Sequence, residues 1–294
     1  MTIYRVNQDG EATVRPIVTT FDFAELMNVY PVDLEELEQD FMGQEQEPVD
    51  VIHHFYPGIY MREARLKAGC FMIGHRQSLP HLNLMLCGHV GFLGGGEARG
   101  PFLAVGMPGR KCGVVHEDTS WFNIYATDET DIGTLESMFM AKSDAAIAQE
   151  ARLACAETPE IQAARADYLA MLDALGVTHE AVHAAPNYPG DRIPLPWGAY
   201  KFRSAPSPIH GNGVFASAAI REGETIGPAN LNGCRTILGW GVNHSGTPNA
   251  EAVAFGGGIN IVAKRDITGN RAGIFGEEIT VDYRQTRKVA LCLG

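Results

Sequence analysis

Two short strings near the C-terminal end constrain this chain more than anything else in it. Asn243-His244-Ser245-Gly246-Thr247-Pro248-Asn249 is followed by Gly276-Glu277-Glu278-Ile279-Thr280-Val281-Asp282-Tyr283. An Asn-His pair offers amide and imidazole groups to a polar cofactor, and a strand ending in Asp-Tyr can present a phenol at the end of a pocket. Upstream, Ser207-Pro208-Ile209-His210-Gly211-Asn212-Gly213-Val214-Phe215-Ala216 supplies a turn whose glycines let a backbone approach a ligand closely. A lone Gly-x-Gly is weak, because most such turns are ordinary hairpins. The order and spacing of the three pieces carry the information.

Together the three strings resemble the SET domain, the fold of protein lysine methyltransferases that use S-adenosylmethionine. The resemblance spans about residues 195 to 286. It implies that Gly211, Asn212 and Gly213 contact the cofactor's amino-acid end through backbone, and that Asn243 and His244 bind the cofactor as well. It makes Tyr283 the catalytic residue, with its hydroxyl near the transferring methyl. Phe215, Trp240 and Phe255 are candidates to line a lysine channel. Of Glu277 and Glu278, one is expected to be structural and one exposed. The chemistry demands such a site: lysine has a pKa near 10.4, so fewer than about one in a thousand is neutral at pH 7. Burial beside a sulfonium disfavours the ammonium and aids deprotonation. The chain departs from the family in three ways. Only 29 residues separate Gly213 from Asn243, no cysteine cluster follows Tyr283, and only 11 residues come after it. A partner or the N-terminal half would then have to complete the channel.

The rest of the chain has three textures. Residues 1–50 form an acidic segment in which Leu34, Leu37, Phe41 and Met42 fall at helical spacing. Residues 51–130 alternate short β-type runs with Gly and Pro, predicting a small sandwich or barrel. Residues 131–194 hold Ala-rich helical stretches interrupted at Thr158-Pro159 and closed by Gly176, then a Pro/Gly linker. The domain of residues 195–294 follows. The expected class is mainly β with an α-helical connector.

The 51–130 segment resembles a cupin barrel of the kind encoded by tailed bacteriophages. The matching residues include His53-His54-Phe55-Tyr56-Pro57-Gly58, Gly74-His75-Arg76-Gln77, His81-Leu82-Asn83, Pro108-Gly109-Arg110-Lys111 and His116-Glu117-Asp118-Thr119. Metal-binding cupins converge several imidazoles and a carboxylate on one ion. Here His75 and His81 stand where ligands would, but Gln77 and Lys111 replace the others, and His116 reads as a loop residue. A metal-free barrel serving as scaffold or assembly module is expected, with no metal residues assigned.

Net charge is −12, with +3 in residues 195–294 and therefore −15 in the remainder. Such a surface repels phosphate backbones and suits a cationic protein segment, so a lysine-bearing protein is the expected partner and nucleic acid is not. Six scattered cysteines read as reduced thiols, and no apolar run is long enough to span a membrane. The expectation is a cytoplasmic protein (of the host cytoplasm or the virion if phage-encoded), homo-oligomeric or part of a larger assembly, whose protein partner is a lysine-bearing substrate or an assembly partner. Two functions compete: an S-adenosylmethionine-dependent lysine methyltransferase, or a non-catalytic virion or assembly protein of a tailed phage. A cupin-type oxygenase or isomerase is the weakest reading, because its ligand set is incomplete.

Overall fold

The computed structural model describes residues 2–5, 33–184, 189–271 and 276–292. Most of the acidic segment 1–50 lies outside the described residues. The fold is mainly β, with helices concentrated between two β-rich regions, as the sequence leads one to expect. The chain divides into two compact units, Met1–Glu150 with Gly269–Phe275, and Ala151–Thr268 with Gly276–Gly294. The division falls within a helix, Asp144–Ala154. Among the described residues no helix is long and apolar enough to cross a membrane.

In the first unit, β1 (Thr2–Arg5) pairs with β4 (Cys70–Ile73), and β2 (Asp50–Tyr56) forms a hairpin with β3 (Ile59–Leu66). The organising strand is β9 (Cys112–Ala126). One edge of β9 takes β4 at its N-terminal end and β3 at its C-terminal end. Its other edge takes β6 (His81–Phe92) over nearly the whole length, and β6 in turn carries β7 (Glu97–Arg99) and β8 (Phe102–Gly106). Register shifts between Met85 and Val90 bend the β6–β9 pair, and Gly88 sits at the bend with φ +107°. A Cβ there would lie 2.6 Å from Thr119 Cα, so only glycine lets the strands come this close. The bend curves the sheet around Ala64, Leu66, Met72, Met85, Val90, Val115 and Trp121, which form its core. Two short strands, β5 (Arg76–Gln77) and β10 (Met140–Ala141), pair at one end.

Helix α1 (Leu34–Met42) occurs where the apolar spacing places it. Asp33 caps it by accepting from the Glu35 and Glu36 amides at 2.9 and 3.3 Å, and Leu37 and Phe41 pack on Phe71, Ile73 and Cys112. Helix α2 (Ile132–Phe139) is capped by Asp131, and its Phe139 stacks on Tyr125 at 4.0 Å. One expectation fails. His116 is not in a loop but lies within β9, where its neighbour Glu117 pairs with His89. Five consecutive polar residues, His116 to Ser120, hide the strand, because the backbone ladder rather than side-chain alternation holds it.

Helix α3 (Asp144–Ala154) holds the division between the units, and in the second unit α4 (Pro159–Leu175) and α5 (His179–Ala184) follow. Thr158 caps α4 with Pro159 in its first turn, and Gly176 ends it at φ +63°. After β11 (Gly198–Tyr200) come two four-stranded sheets. In the first, β12 (Phe202–Pro206), β13 (Asn212–Ala216), β19 (Glu278–Val281) and β16 (Asn243–His244) lie in that order. In the second the order is β15 (Cys234–Arg235), β14 (Thr225–Leu231), β18 (Gly258–Ala263), β17 (Ala250–Phe255). A short helix α6 (Ile237–Trp240) precedes β16, and α7 (Tyr283–Leu291) follows β19 directly, capped by Asp282. Phe202, Val214, Leu238, Ile261 and Ile279 are buried in this unit.

Candidate functional site

The three sequence strings become neighbours in one sheet. β13 runs antiparallel to β19, with Val214 opposite Ile279, and β16 runs parallel to β19, with Asn243 opposite Thr280 and His244 opposite Val281. Asn249 explains why the Asn-His string ends as it does. Its side-chain amide donates to the Glu278 carbonyl at 2.8 Å and accepts from the Thr280 amide at 2.9 Å, a side chain standing in for a strand.

Asn243 and His244 are both buried, and each holds the site together. The Asn243 Nδ2 group donates to Glu278 Oε1 at 2.7 Å, Ser207 Oγ at 3.0 Å and the His210 carbonyl at 3.1 Å. Ser207 Oγ also donates to the Glu278 carboxylate at 2.8 Å. Burial pushes the Glu278 carboxyl above its usual range, and the bonds from Asn243 and Ser207 only partly oppose this. Gly213 is what makes room, since a Cβ there would sit 2.2 Å from Glu278 Oε1. Glu277 is the surface partner of the pair, bonded to Arg265 at 2.6 Å.

His244 Nδ1 accepts from the Tyr283 amide at 3.2 Å, and its Nε2 is 2.9 Å from Asp167 Oδ2. That pattern fixes the tautomer with the proton on Nε2. Burial raises the Asp167 carboxyl, but its bonds from His244 and Arg284 outweigh this and hold it below the usual range. The Tyr283 hydroxyl donates to the Val242 carbonyl at 2.9 Å. Burial, reinforced by Tyr168 and Glu278, pushes this phenol well above its ordinary pKa, so it stays protonated at neutral pH.

Asn243, His244 and Tyr283 line one cavity of about 350 Å³. Its other walls are Ile209 and His210 from the turn before β13, Arg165, Tyr168 and Leu169 from α4, and His179 from α5. The Tyr168 ring meets Tyr283 edge-on at 6.3 Å, and His179 meets His210 edge-on at 4.7 Å. Burial lowers the His210 imidazole, with His179 adding to the effect. Arg165 donates to the Ile209 carbonyl at 3.1 Å and to the Pro208 carbonyl, and is 2.5 Å from Glu157.

Gly211, Asn212 and Gly213 do not line this cavity. Gly211 ends the turn before β13, and Asn212 and Gly213 begin that strand, where the Asn212 carbonyl lies 3.4 Å from Asn243 Nδ2. The aromatic candidates lie elsewhere too. Phe215 is in the core, Phe255 is 71% exposed, and Trp240 lies beneath Arg192 at 4.3 Å. The wall residues Arg165, Tyr168 and His179 were concealed in the Ala-rich stretch. Only the i, i+3 and i+4 spacing of Arg165, Tyr168 and Leu169 hints that they share a face.

In the first unit one of the histidines of interest, His81, meets an amine. Lys111 Nζ lies 3.3 Å from His81 Nε2, donates to Asn83 Oδ1, and stands 5.2 Å from the Trp121 ring centre. His81 Nδ1 donates to the Leu79 carbonyl at 3.0 Å, which leaves Nε2 as the acceptor for lysine. Burial pulls Lys111 down to about 8 and lowers His81 as well. Gln77 accepts from the Tyr125 hydroxyl. A cation where a metal's ligand would stand is repulsive to a metal ion. Among the described residues no group of three or more His, Cys, Asp or Glu is placed to hold a metal.

No protein family matches the chain, and no curated protein matches it. Solved structures give partial likenesses. An acetylacetone dioxygenase from Acinetobacter johnsonii is 13% identical over 26% of this chain, with a TM-score of 0.22, and the match spans 58% of that enzyme. A Neisseria meningitidis protein is 14% identical over 33% of this chain and 97% of its own, with a TM-score of 0.23. A point mutant of Bacillus subtilis oxalate decarboxylase is 12% identical over 86% of this chain and 79% of its own, with a TM-score of 0.17. At these values the likenesses assign no activity.

Proposed function

We propose that the second unit binds S-adenosylmethionine in the cavity beside Asn243, His244 and Tyr283 and methylates a lysine of a protein partner. The observation that carries this reading is the convergence of three separated strings on one sheet, with an amide, an imidazole and a phenol opening on a single cavity. The residues present fit the group. A volume of about 350 Å³ falls within the usual range for a small-molecule site. The rings of Tyr168, His244 and Tyr283 offer π-faces to a cation, and Arg165 at the wall suits a carboxylate.

When bound, S-adenosylmethionine supplies an electrophilic methyl group on a positively charged sulfur. The chain supplies position and proton handling. Tyr283 is kept neutral and cannot act as a base. With its hydrogen committed to the Val242 carbonyl, its oxygen is left as an acceptor that can orient an amine N–H. His244 is committed through both ring nitrogens and serves to position the Tyr283 backbone. Burial lowers the His210 imidazole, which keeps it neutral and able to accept a proton, though as a weaker base than a free histidine.

A non-catalytic structural or assembly role is the second reading, favoured by one observation. The Asn243 amide, the His244 nitrogens and the Tyr283 hydroxyl all make hydrogen bonds inside the unit. In the first unit, a cross-strand row of exposed Leu82, Leu86, Leu103 and Val105 on β6 and β8 would serve self-association in either reading. The test is transfer of a tritiated methyl group from S-adenosylmethionine to protein substrates in a cell extract, with hydrolysis to identify methyl-lysine. Methyl-lysine that disappears with Tyr283→Phe supports the enzyme. No methyl-lysine above a protein-free control, with the donor saturating, leaves the structural role.

A further inference from the structure

The first unit contains a second cavity, of about 50 Å³, inside the curved sheet. Its walls include Arg62 from β3, Trp121 and Asn123 from β9, and Lys111 from the turn before it. Strand alternation turns Arg62, Ala64 and Leu66 to the inside, so a guanidinium is carried to a cavity whose wall also holds Met72, Gln77 and Trp121. Arg62 is only 9% exposed, and its Nε is fully buried with no hydrogen-bond partner among the described residues. No carboxylate lines the cavity beside it. Lys111, the other cation in the wall, has only the neutral partners His81 and Asn83 among the described residues.

Two cations on the wall of a cavity that no carboxylate lines is an unfavourable arrangement, even with the buried Glu136, outside that lining, opposing Arg62 in its effect on Tyr60. Burying an unpaired charge is costly, and like charges in a low-dielectric site repel. An anion entering the cavity would satisfy the orphaned Arg62 Nε–H and offset both charges at once. The shape narrows the choice. The volume is far too small for a nucleotide, the Trp121 ring supplies a flat wall, and a guanidinium fork matches the planar oxygens of a carboxylate.

We propose that this cavity binds a small planar carboxylate of formate, acetate or oxalate size, held between the Arg62 guanidinium and the Lys111 ammonium without a metal ion. The site is independent of the cavity in the second unit. It gives the incomplete ligand set of this barrel a use of its own, because the lysine that repels a metal attracts an anion.

Calorimetric titration of the full chain, treated with chelator, with formate, acetate and oxalate at constant ionic strength tests this. At least one of the three should saturate, and Arg62→Gln should weaken it by about tenfold or more. Lys111→Met should weaken it similarly, whereas Lys111→Arg, which keeps the charge, should retain most of it. The unsubstituted protein gives a second readout. Bound carboxylate should shield Lys111 from acylation, measured by mass spectrometry, and shift its reactivity to higher pH, against a background of His81, His75 and Tyr125 as neighbouring titratable groups. Three outcomes overturn the proposal: no saturable binding of any of the three, equal affinity for chloride or inorganic phosphate, or binding that requires an added divalent metal.

Discussion

Replacing Asn243 with alanine removes the amide that ties three strings together, and its cost can be worked from the contacts. The Nδ2 group carries two N–H bonds, and its shortest partner is the buried Glu278 carboxylate at 2.7 Å. A hydrogen bond to a charged group contributes about 1.5–3 kcal/mol, and the second, to Ser207 Oγ at 3.0 Å or the His210 carbonyl at 3.1 Å, about 0.5–1.5. Asn243→Ala should therefore destabilise the second unit by about 2–4.5 kcal/mol at pH 7. The pH dependence has a definite sign. Glu278 titrates above its ordinary value of 4.5 in the folded state, so the folded form holds more protons and stability falls as pH rises from 4.5 through the raised value. Loss of the Asn243 donor raises that value further. The penalty should accordingly be largest near neutrality and shrink toward pH 5. Urea unfolding at both pH values, followed by the fluorescence of Trp197 and Trp240, measures it. On a Glu278→Gln background both bonds are neutral, and Asn243→Ala should cost only about 1–3 kcal/mol. An equal cost with glutamate and glutamine, or no change with pH, would refute this reasoning.

Other substitutions probe neighbouring links. Tyr283→Phe leaves the Val242 carbonyl without its partner, so unfolding should show a loss of about 1–3 kcal/mol, with cofactor affinity little changed if the phenol acts on the amine rather than on the donor. In the first unit, Lys111 at about 8 lies below its ordinary 10.5, so the unfolded chain binds the extra proton and stability should rise between those pH values. Lys111→Met should flatten that rise in thermal melts. Gly88→Ala forces a Cβ against Thr119 at a positive φ and should cost about 1–3 kcal/mol for the backbone alone, with hydrogen exchange accelerating first along β6 and β9.

Much of the fold was legible because its punctuation is local. Thr158-Pro159 and Gly176 bracket α4, and Asp33 with Leu37 and Phe41 marks α1. β9 was harder, since His116-Glu117-Asp118 breaks the alternation while the ladder to β6 and β4 carries the strand through. In the candidate site, Asn243, His244 and Tyr283 stand out in the sequence because the strings that carry them resemble a SET domain, and the structure brings them to one cavity. Arg165, Tyr168 and His179 could not, because what brings a helix side chain to a cavity is tertiary packing that leaves only a weak periodic trace. The aromatic candidates misled for the converse reason. Phe215, Trp240 and Phe255 are large and near the strings in sequence, but β13 buries the first, Arg192 covers the second, and β17 turns the third outward.

Whether the second-unit cavity holds a methyl donor is most directly measured by titrating the full chain calorimetrically with S-adenosylmethionine and with its demethylated product. Micromolar binding of both, abolished by Leu169→Trp, is predicted. Leu169 is 60% exposed on α4 at the cavity wall, so the larger ring can fill the space without disturbing the core. No heat of binding at millimolar ligand, or binding unaffected by the tryptophan, would contradict the account.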